Sequence, residues 1–299
     1  MMGNALRLHK SHRAQMKPTV CLVPFNQYRL TAMRSRPYLG DGMPIEIGKI
    51  EAIFRYPVKS MRGEQLDSAM LGWHGLEGDR RLAFRRLNDC GGFPWLTAGK
   101  LPDLISFTPL PGEDANGDGL PTHLRTPVGE EMPLFSEALA EEIERRYGAP
   151  VQMTHLKHGI FDEASISVIS SATVHEISRL AQRSADIRRF RPNVVVRSTR
   201  GVPLEEDQWV GGVLMFGEED DAPAVTVTMR DLRCTMVNID PDDGSIAPEV
   251  MKACVHANEN NLGVYGTVTR IGRLAVGQTI LLHPRPVAST KSAWLDRSF

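Results

Sequence analysis

Residues 228–244 read TMRDLRCTMVNIDPDDG, and the β-branched run Val225 to Met229 leads into them. The run predicts a strand, Arg230-Asp231 a polar turn, and Leu232-Arg233-Cys234 the opening of a second short strand over 232–238. Further short strand patterns recur at 151–156, 165–170, 193–197, 209–217, 264–270 and 278–282, with helical spacing only at 174–182 and 248–258. The regular strand–helix alternation of a doubly wound sheet is missing. The expectation is therefore an α+β, β-rich chain whose second half closes as a mixed β-barrel.

Cys234 stands near the start of the second predicted strand, with Arg230 and Arg233 close by. Cationic neighbours favour the thiolate, the species that attacks electrophiles and binds soft metals. The commoner role of a cysteine in an intracellular chain is that of a small buried hydrophobe. Local sequence leaves both roles open.

A chain of 299 residues forms one large domain or two moderate ones. No apolar run approaches the roughly 18–20 residues of a membrane span, so no membrane partner is expected. Cys21, Cys90, Cys234 and Cys254 lie far apart and form no CxxC or CxxH pair. That argues against a zinc knuckle, a cysteine-ligated cluster or a disulfide framework, and for a reducing compartment. The formal charge is −1, yet residues 1–44 hold seven Lys/Arg against one acid, Asp41: a net +6, leaving −7 for the remainder. A mildly acidic body does not suggest nucleic acid as a partner.

Residues 1–45 read as a disordered basic tail. An arginine-rich, acid-poor N-terminus also fits an organelle transit peptide, and Met43 is an alternative start. The expected location is cytoplasmic, or organellar if the tail is a transit peptide. Residues 46–150 read as β-rich, with strands at 48–56, 66–71, 80–85, 94–98 and 104–109 and a surface loop at 111–122. One helix is predicted over 137–147, with Ser136 as its N-cap and Gly148 as its C-cap. Residues 151–284 hold the barrel pattern, and 285–299 read as a flexible tail.

GxGxxG, GxxxxGK[ST], GxSxG and HExxH are all absent. Asp240, Asp242 and Asp243 fall in DPDDG, which reads as a turn. What remains is a set of donors at turns and element ends: Lys59-Ser60, Arg80, Ser170-Ser171, Thr173, Arg191 and Asn193. Such groups suit a phosphate or a pterin-like ligand. The hydroxyls at 170–173 make either a helix-start anion site or plain caps.

Tyr56-Pro57-Val58-Lys59-Ser60, Gly78-Asp79-Arg80 and Trp95-Leu96-Thr97-Ala98 resemble the N-terminal β-barrel segment of MOSC proteins. Phe190-Arg191-Pro192-Asn193-Val194-Val195-Val196, Glu206-Asp207-Gln208-Trp209 and Arg233-Cys234 followed by Asp240-Pro241-Asp242 resemble the MOSC domain itself. Leu262-Gly263-Val264-Tyr265-Gly266 and Val276-Gly277-Gln278 resemble its end. The resemblance spans residues 46–283 and is nearest to the amidoxime-reducing and hydroxylaminopurine-detoxifying members. It implies a MOSC N-terminal β-rich domain over 46–150 and a MOSC-type mixed barrel over 151–284.

The resemblance further implies a molybdenum cofactor, with the metal carried on molybdopterin. Cys234 falls at the position of the metal ligand; Asp240 is a candidate supporting or proton-relay group for that chemistry. Lys59, Ser60, Arg80, Ser170, Ser171, Thr173, Arg191, Asn193 and Arg233 are the implied cofactor-binding residues. The implied activity is reduction of small N-hydroxylated compounds. Its electrons come from a separate donor protein (a ferredoxin, a cytochrome b5-like protein or a flavoprotein), because no clustered cysteines follow residue 283. A non-catalytic cofactor carrier and a sulfur-carrying protein are the alternatives within the family. The pyridoxal-phosphate domain of the family's sulfurases has no room in this chain. Two departures stand out: Lys100 where the family often carries an arginine, and Leu232 where the amidoxime reducers carry a small polar residue.

Overall fold

The computed structural model describes residues 43–111, 119–183 and 186–285. The first half forms β1 (Ile45–Arg55), β2 (Glu64–Leu66), β3 (Ser68–Gly72), β4 (Gly75–Leu76), β5 (Leu82–Arg86), β6 (Thr108–Leu110), β7 (His123–Arg125), β8 (Glu131–Pro133) and α1 (Glu137–Tyr147). The second half forms β9 (Val151–His155), β10 (Ile166–Ser170), α2 (Ser171–Leu180), β11 (Val194–Ser198), β12 (Val213–Phe216), β13 (Ala224–Leu232), α3 (Pro248–Asn258), β14 (Asn261–Arg270), β15 (Gly272–Ala275) and β16 (Thr279–His283).

Seven strands close a barrel in the order β1-β11-β10-β14-β13-β12-β16 and back to β1, with β2 added on β1. The pair β10–β11 is parallel, whereas the other pairs are antiparallel. Parallel strands need a crossover and are covered on both faces: every residue of β10 and Val194 to Val196 of β11 are buried, and α2 lies between the two strands. Ile50, Ile53, Val168, Val194, Phe216, Val225, Val264 and Ile280 fill the interior. Each such side chain contributes about 1.5–3 kcal/mol on burial. The chain is thus β-rich, with three α-helices among the described residues, as the strand patterns predict.

A second core gathers Val58, Leu82, Phe84, Leu104, Phe107, Leu139, Ile143 and Val151 around α1. Ser136 Oγ accepts from the Leu139 N–H at 3.2 Å, and Gly148 ends the helix at φ 84°, both in their predicted roles. The two sequence segments interleave. β1 is a barrel stave, β9 pairs with β5, and β15 pairs with β3.

Three local expectations change. β13 runs unbroken to Leu232 where a turn at Arg230-Asp231 was predicted, and a 3-10 turn over Thr235–Asn238 replaces the second strand. Asp231 is 1 % exposed and accepts from Ser167 Oγ at 2.9 Å, so the polar pair is held within the sheet. Register shifts against β14 at Val227/Met229 and Arg230/Leu232 supply the bend instead. Residues 94–98 form only an isolated bridge between Trp95 and Arg85. Residues 102–106 form a 3-10 turn with Pro102 in its first positions, ahead of β6. The expectations for residues 1–42 (tail, transit peptide, alternative start), for 112–118 and for 286–299 lie outside the described residues. Among the described residues no helix is long and apolar enough to cross a membrane.

Candidate functional site

The site is built on Tyr56, at the end of β1. Its ring is buried, with the guanidinium of Arg191 4.1 Å from the centroid and that of Arg80 at 4.9 Å. Burial pushes the Tyr56 hydroxyl up to about 12, against the pull of Arg191, so it stays neutral. Asp79, fully buried, accepts from the Tyr56 N–H at 2.7 Å and pairs with Arg80. Arg80 also reaches Asn193 Oδ1 at 3.3 Å and the Arg191 carbonyl at 2.9 Å. Ser60, Arg80 and Arg191 all have positive φ, at 65°, 49° and 48°. Non-glycine residues held there are uncommon and concentrate where the surrounding structure fixes a functional side chain.

These residues open onto a cavity of about 420 Å³, within the usual range for small-ligand sites. Lys59, Ser60, Arg80, Arg191, Arg233 and Cys234 all line it. Lys59 is buried and donates to the Ile160 carbonyl at 3.2 Å and to Asp162 at 2.9 Å. Burial lowers its pKa, and Asp162 works in the opposite direction. Arg233 donates to the Phe190 carbonyl at 2.6 Å and lies 2.9 Å from Asp231. Cys234 follows the strand end as an exposed residue whose carbonyl accepts from the Val237 N–H at 3.2 Å. The small-buried-hydrophobe role belongs instead to Cys254, whose thiol burial pushes up to about 11.

Each of four cations on the wall has a carboxylate partner: Lys59 with Asp162, Arg80 with Asp79, Arg189 with Asp240, Arg233 with Asp231. Arg191 has none among the described residues. Its Nη1 donates to the Met61 carbonyl at 2.8 Å, and its buried Nη2 has no partner there. Burial lowers the Arg191 pKa to about 10, still far above neutrality. The arrangement is thus a charged guanidinium short of one acceptor.

The other named residues lie elsewhere. Asn193 is buried behind the wall. Its Oδ1 accepts from the Ser167 N–H at 3.1 Å and from Arg80, so it positions that arginine. The helix start at 170–173 is taken up by the chain itself. Ser170 Oγ accepts from the Ala172 N–H, and its own N–H donates to Glu206 Oε1 at 3.1 Å. Thr173 Oγ1 accepts from the Leu204 N–H at 2.8 Å, and Ser171 Oγ donates to Glu51 at 2.7 Å. Asp240 pairs with Arg189 and is not on the cavity wall. Lys100 is exposed and also off the wall, whereas Leu232 is on it and 66 % exposed. Sequence reading did not single out Tyr56, Asp79, Asp231, Asp162 or Tyr265 as site residues. Tyr56, Asp79 and Tyr265 stand inside the quoted motifs YPVKS, GDR and LGVYG. Nothing local marks Asp162 or Asp231 as a site residue.

The molecule is a seven-stranded mixed β-barrel protein with one exposed thiol and five cations around a single cavity. Residues 47–154 match the MOSC N-terminal beta barrel domain and residues 155–281 the MOSC domain; the chain belongs to the MOSC family. Mitochondrial amidoxime reducing component 2 of Bos taurus and that of Rattus norvegicus are each 26 % identical over 132 residues, covering 40 % of this chain and 37 % of theirs. The matched region is therefore well under half the length of these curated relatives. The crystal structure of the YUAD protein from Bacillus subtilis aligns with 80 % of this chain and 98 % of its own, at 14 % identity and a TM-score of 0.43. A hypothetical protein of known structure aligns with 80 % of this chain and 69 % of its own, at 12 % identity and a TM-score of 0.38.

Proposed function

We propose that this chain is a molybdenum-cofactor-dependent oxidoreductase that reduces N-hydroxylated compounds, with Cys234 as the protein's ligand to the metal. The observation that carries the reading is an exposed thiol sharing one cavity with an arginine whose buried Nη2 lacks an acceptor. Among the described residues no three His, Cys, Asp or Glu side chains converge on a metal position. A metal bound here must bring its other ligands with it, as a pterin dithiolene does. The donor set fits such a group. Arg191, Arg80, Lys59 and Ser60 would hold its phosphate and pterin, and Cys234 would hold its metal.

When bound, the group supplies the two-electron chemistry that cleaves an N–O bond. The chain's residues do the rest. Tyr56 holds two guanidiniums in place, Asp79 and Asn193 fix Arg80, and Arg233 anchors the end of β13 beside Cys234 through the Leu262 and Phe190 carbonyls. Leu232, exposed on the wall, gives the substrate's apolar part a surface to lie on. Electrons come from a separate redox protein.

The test is purification from a host that makes the cofactor, followed by metal analysis and assay of benzamidoxime and hydroxylaminopurine with a chemical reductant. Stoichiometric molybdenum with turnover is expected. Molybdenum without turnover favours a carrier, and its absence sinks the reading. Arg191→Met should lower cofactor retention by about 10- to 100-fold, the loss of one charge-assisted contact. The unloaded variant should be at least as stable as wild type, because a desolvated cation with an unpaired nitrogen has been removed. Retention at the wild-type level would overturn the role of Arg191.

A further inference from the structure

The cavity wall carries three carboxylates: Asp162 and Glu163 are exposed, and Asp231 is 1 % exposed. Both contacts of Asp231 are made by Oδ2, which accepts from Ser167 Oγ at 2.9 Å and lies 2.9 Å from Arg233 Nη2. Oδ1 has no hydrogen-bond partner among the described residues. The register shift at Arg230/Leu232 turns this one side chain inward, between two exposed neighbours. Bulges beside functional sites commonly re-aim a side chain in this way.

We infer that Asp231 is the proton donor for the reduction carried out in this cavity. The inference rests on the function proposed above. Cleaving R–NH–OH to R–NH2 and water takes two electrons and two protons. The N–O bond breaks, the reductant supplies both electrons, one proton goes to nitrogen and one to the departing oxygen. Asp231 gives the latter from Oδ1 and regains it from water at the open mouth.

The other wall groups are unsuited. Among the described residues no histidine lines the cavity, and burial raises the Tyr265 hydroxyl well above its ordinary value. Asp240, the acid singled out in the sequence, does not line the cavity and is held by Arg189, which does. Burial pushes the Asp231 carboxyl up to about 6, opposed first by Arg233 and then by the Ser167 hydrogen bond and Arg80. Asp162 adds to the rise, and Tyr265 is the remaining titratable neighbour. A raised carboxyl holds a proton near working pH and releases it on demand.

The test compares wild type, Asp231→Asn and Asp231→Glu, each loaded with cofactor, in single turnovers of benzamidoxime with a reduced viologen dye. Because the acid form is the active one, the wild-type rate should fall as pH rises through the range where Asp231 loses its proton. D231N should retain molybdenum, react about 100-fold more slowly and lose this pH dependence, and D231E should restore it. An infrared titration of unloaded protein should show a carboxyl band that is missing from D231N. A loaded D231N with the wild-type rate and pH profile overturns the role of Asp231 alone, as does an infrared titration unchanged by the substitution. A wild type that binds no molybdenum overturns the proposed function and this inference together.

Discussion

Cys234→Ala, purified from a host that makes molybdenum cofactor, is expected to carry about a tenth or less of the wild-type molybdenum, since metal ligands dominate affinity. Circular dichroism and the unloaded thermal midpoint should match wild type. The two halves of this expectation come from different observations. Cys234 is exposed and its side chain makes no hydrogen bond among the described residues, so truncation leaves neither a core cavity nor an orphaned partner. Such surface changes usually stay within about 0.5 kcal/mol. No alternative set of three metal-binding side chains exists among the described residues to retain the metal. Cys234→Ser is the sharper variant. It keeps size and polarity but replaces a soft sulfur with a hard oxygen, and the same loss is expected. Molybdenum at the wild-type level in either variant would remove the thiol from the proposed site.

The barrel was legible because its strands differ in kind. The valines at 194–196 have the composition of a strand covered on both faces, whereas Ile166–Ser170 alternates weakly in sequence although all five residues are buried; the two form the parallel pair. Helix α1 was legible to the residue, because Ser136 and Gly148 satisfy its ends locally. Arg230-Asp231 misled for a physical reason. Two charged residues read as a turn when Asp231's partners, Ser167 and Arg233, are invisible to local pattern, one of them 64 positions away. The interleaving of the two segments is a matter of long-range pairing, β15 with β3 and β9 with β5, and no short window contains it.

The site divides along the same line. Lys59, Ser60, Arg80, Arg191, Arg233 and Cys234 were named from sequence and meet at one cavity. The serine and threonine hydroxyls at 170–173 satisfied the local rule for an anion site, yet the anion present there is Glu206, brought in by the loop before β12. Local chemistry thus identified a place for a carboxylate without revealing that the chain supplies it. Asp231 is the converse case, since only its burial distinguishes it from an ordinary surface acid.

Gly263→Ala should couple fold and site in one measurement. Gly263 sits in the bulged stretch of β14 at φ 76°, and a Cβ there would lie 2.6 Å from the Val168 carbonyl oxygen and 3.1 Å from Arg233 Nη2. The left-handed conformation costs an L-residue about 1–2 kcal/mol. Forcing a methyl against backbone adds about 1–3 kcal/mol. A total near 3 kcal/mol corresponds to a thermal midpoint lowered by about 5 °C in a chain of this size. Gly129→Ala provides the control, because φ there is 91° but nothing lies within 4 Å of the added carbon. It should show the conformational cost alone and leave cofactor retention untouched. The excess loss in G263A measures the close approach, and that approach is where Arg233 passes to reach the Leu262 and Phe190 carbonyls. Displacing Arg233 disturbs the residue next to Cys234 and the partner of Asp231, so molybdenum retention should fall together with stability. Equal midpoints for the two variants, or full molybdenum in G263A, would show that the bulge shapes the barrel without positioning the thiol.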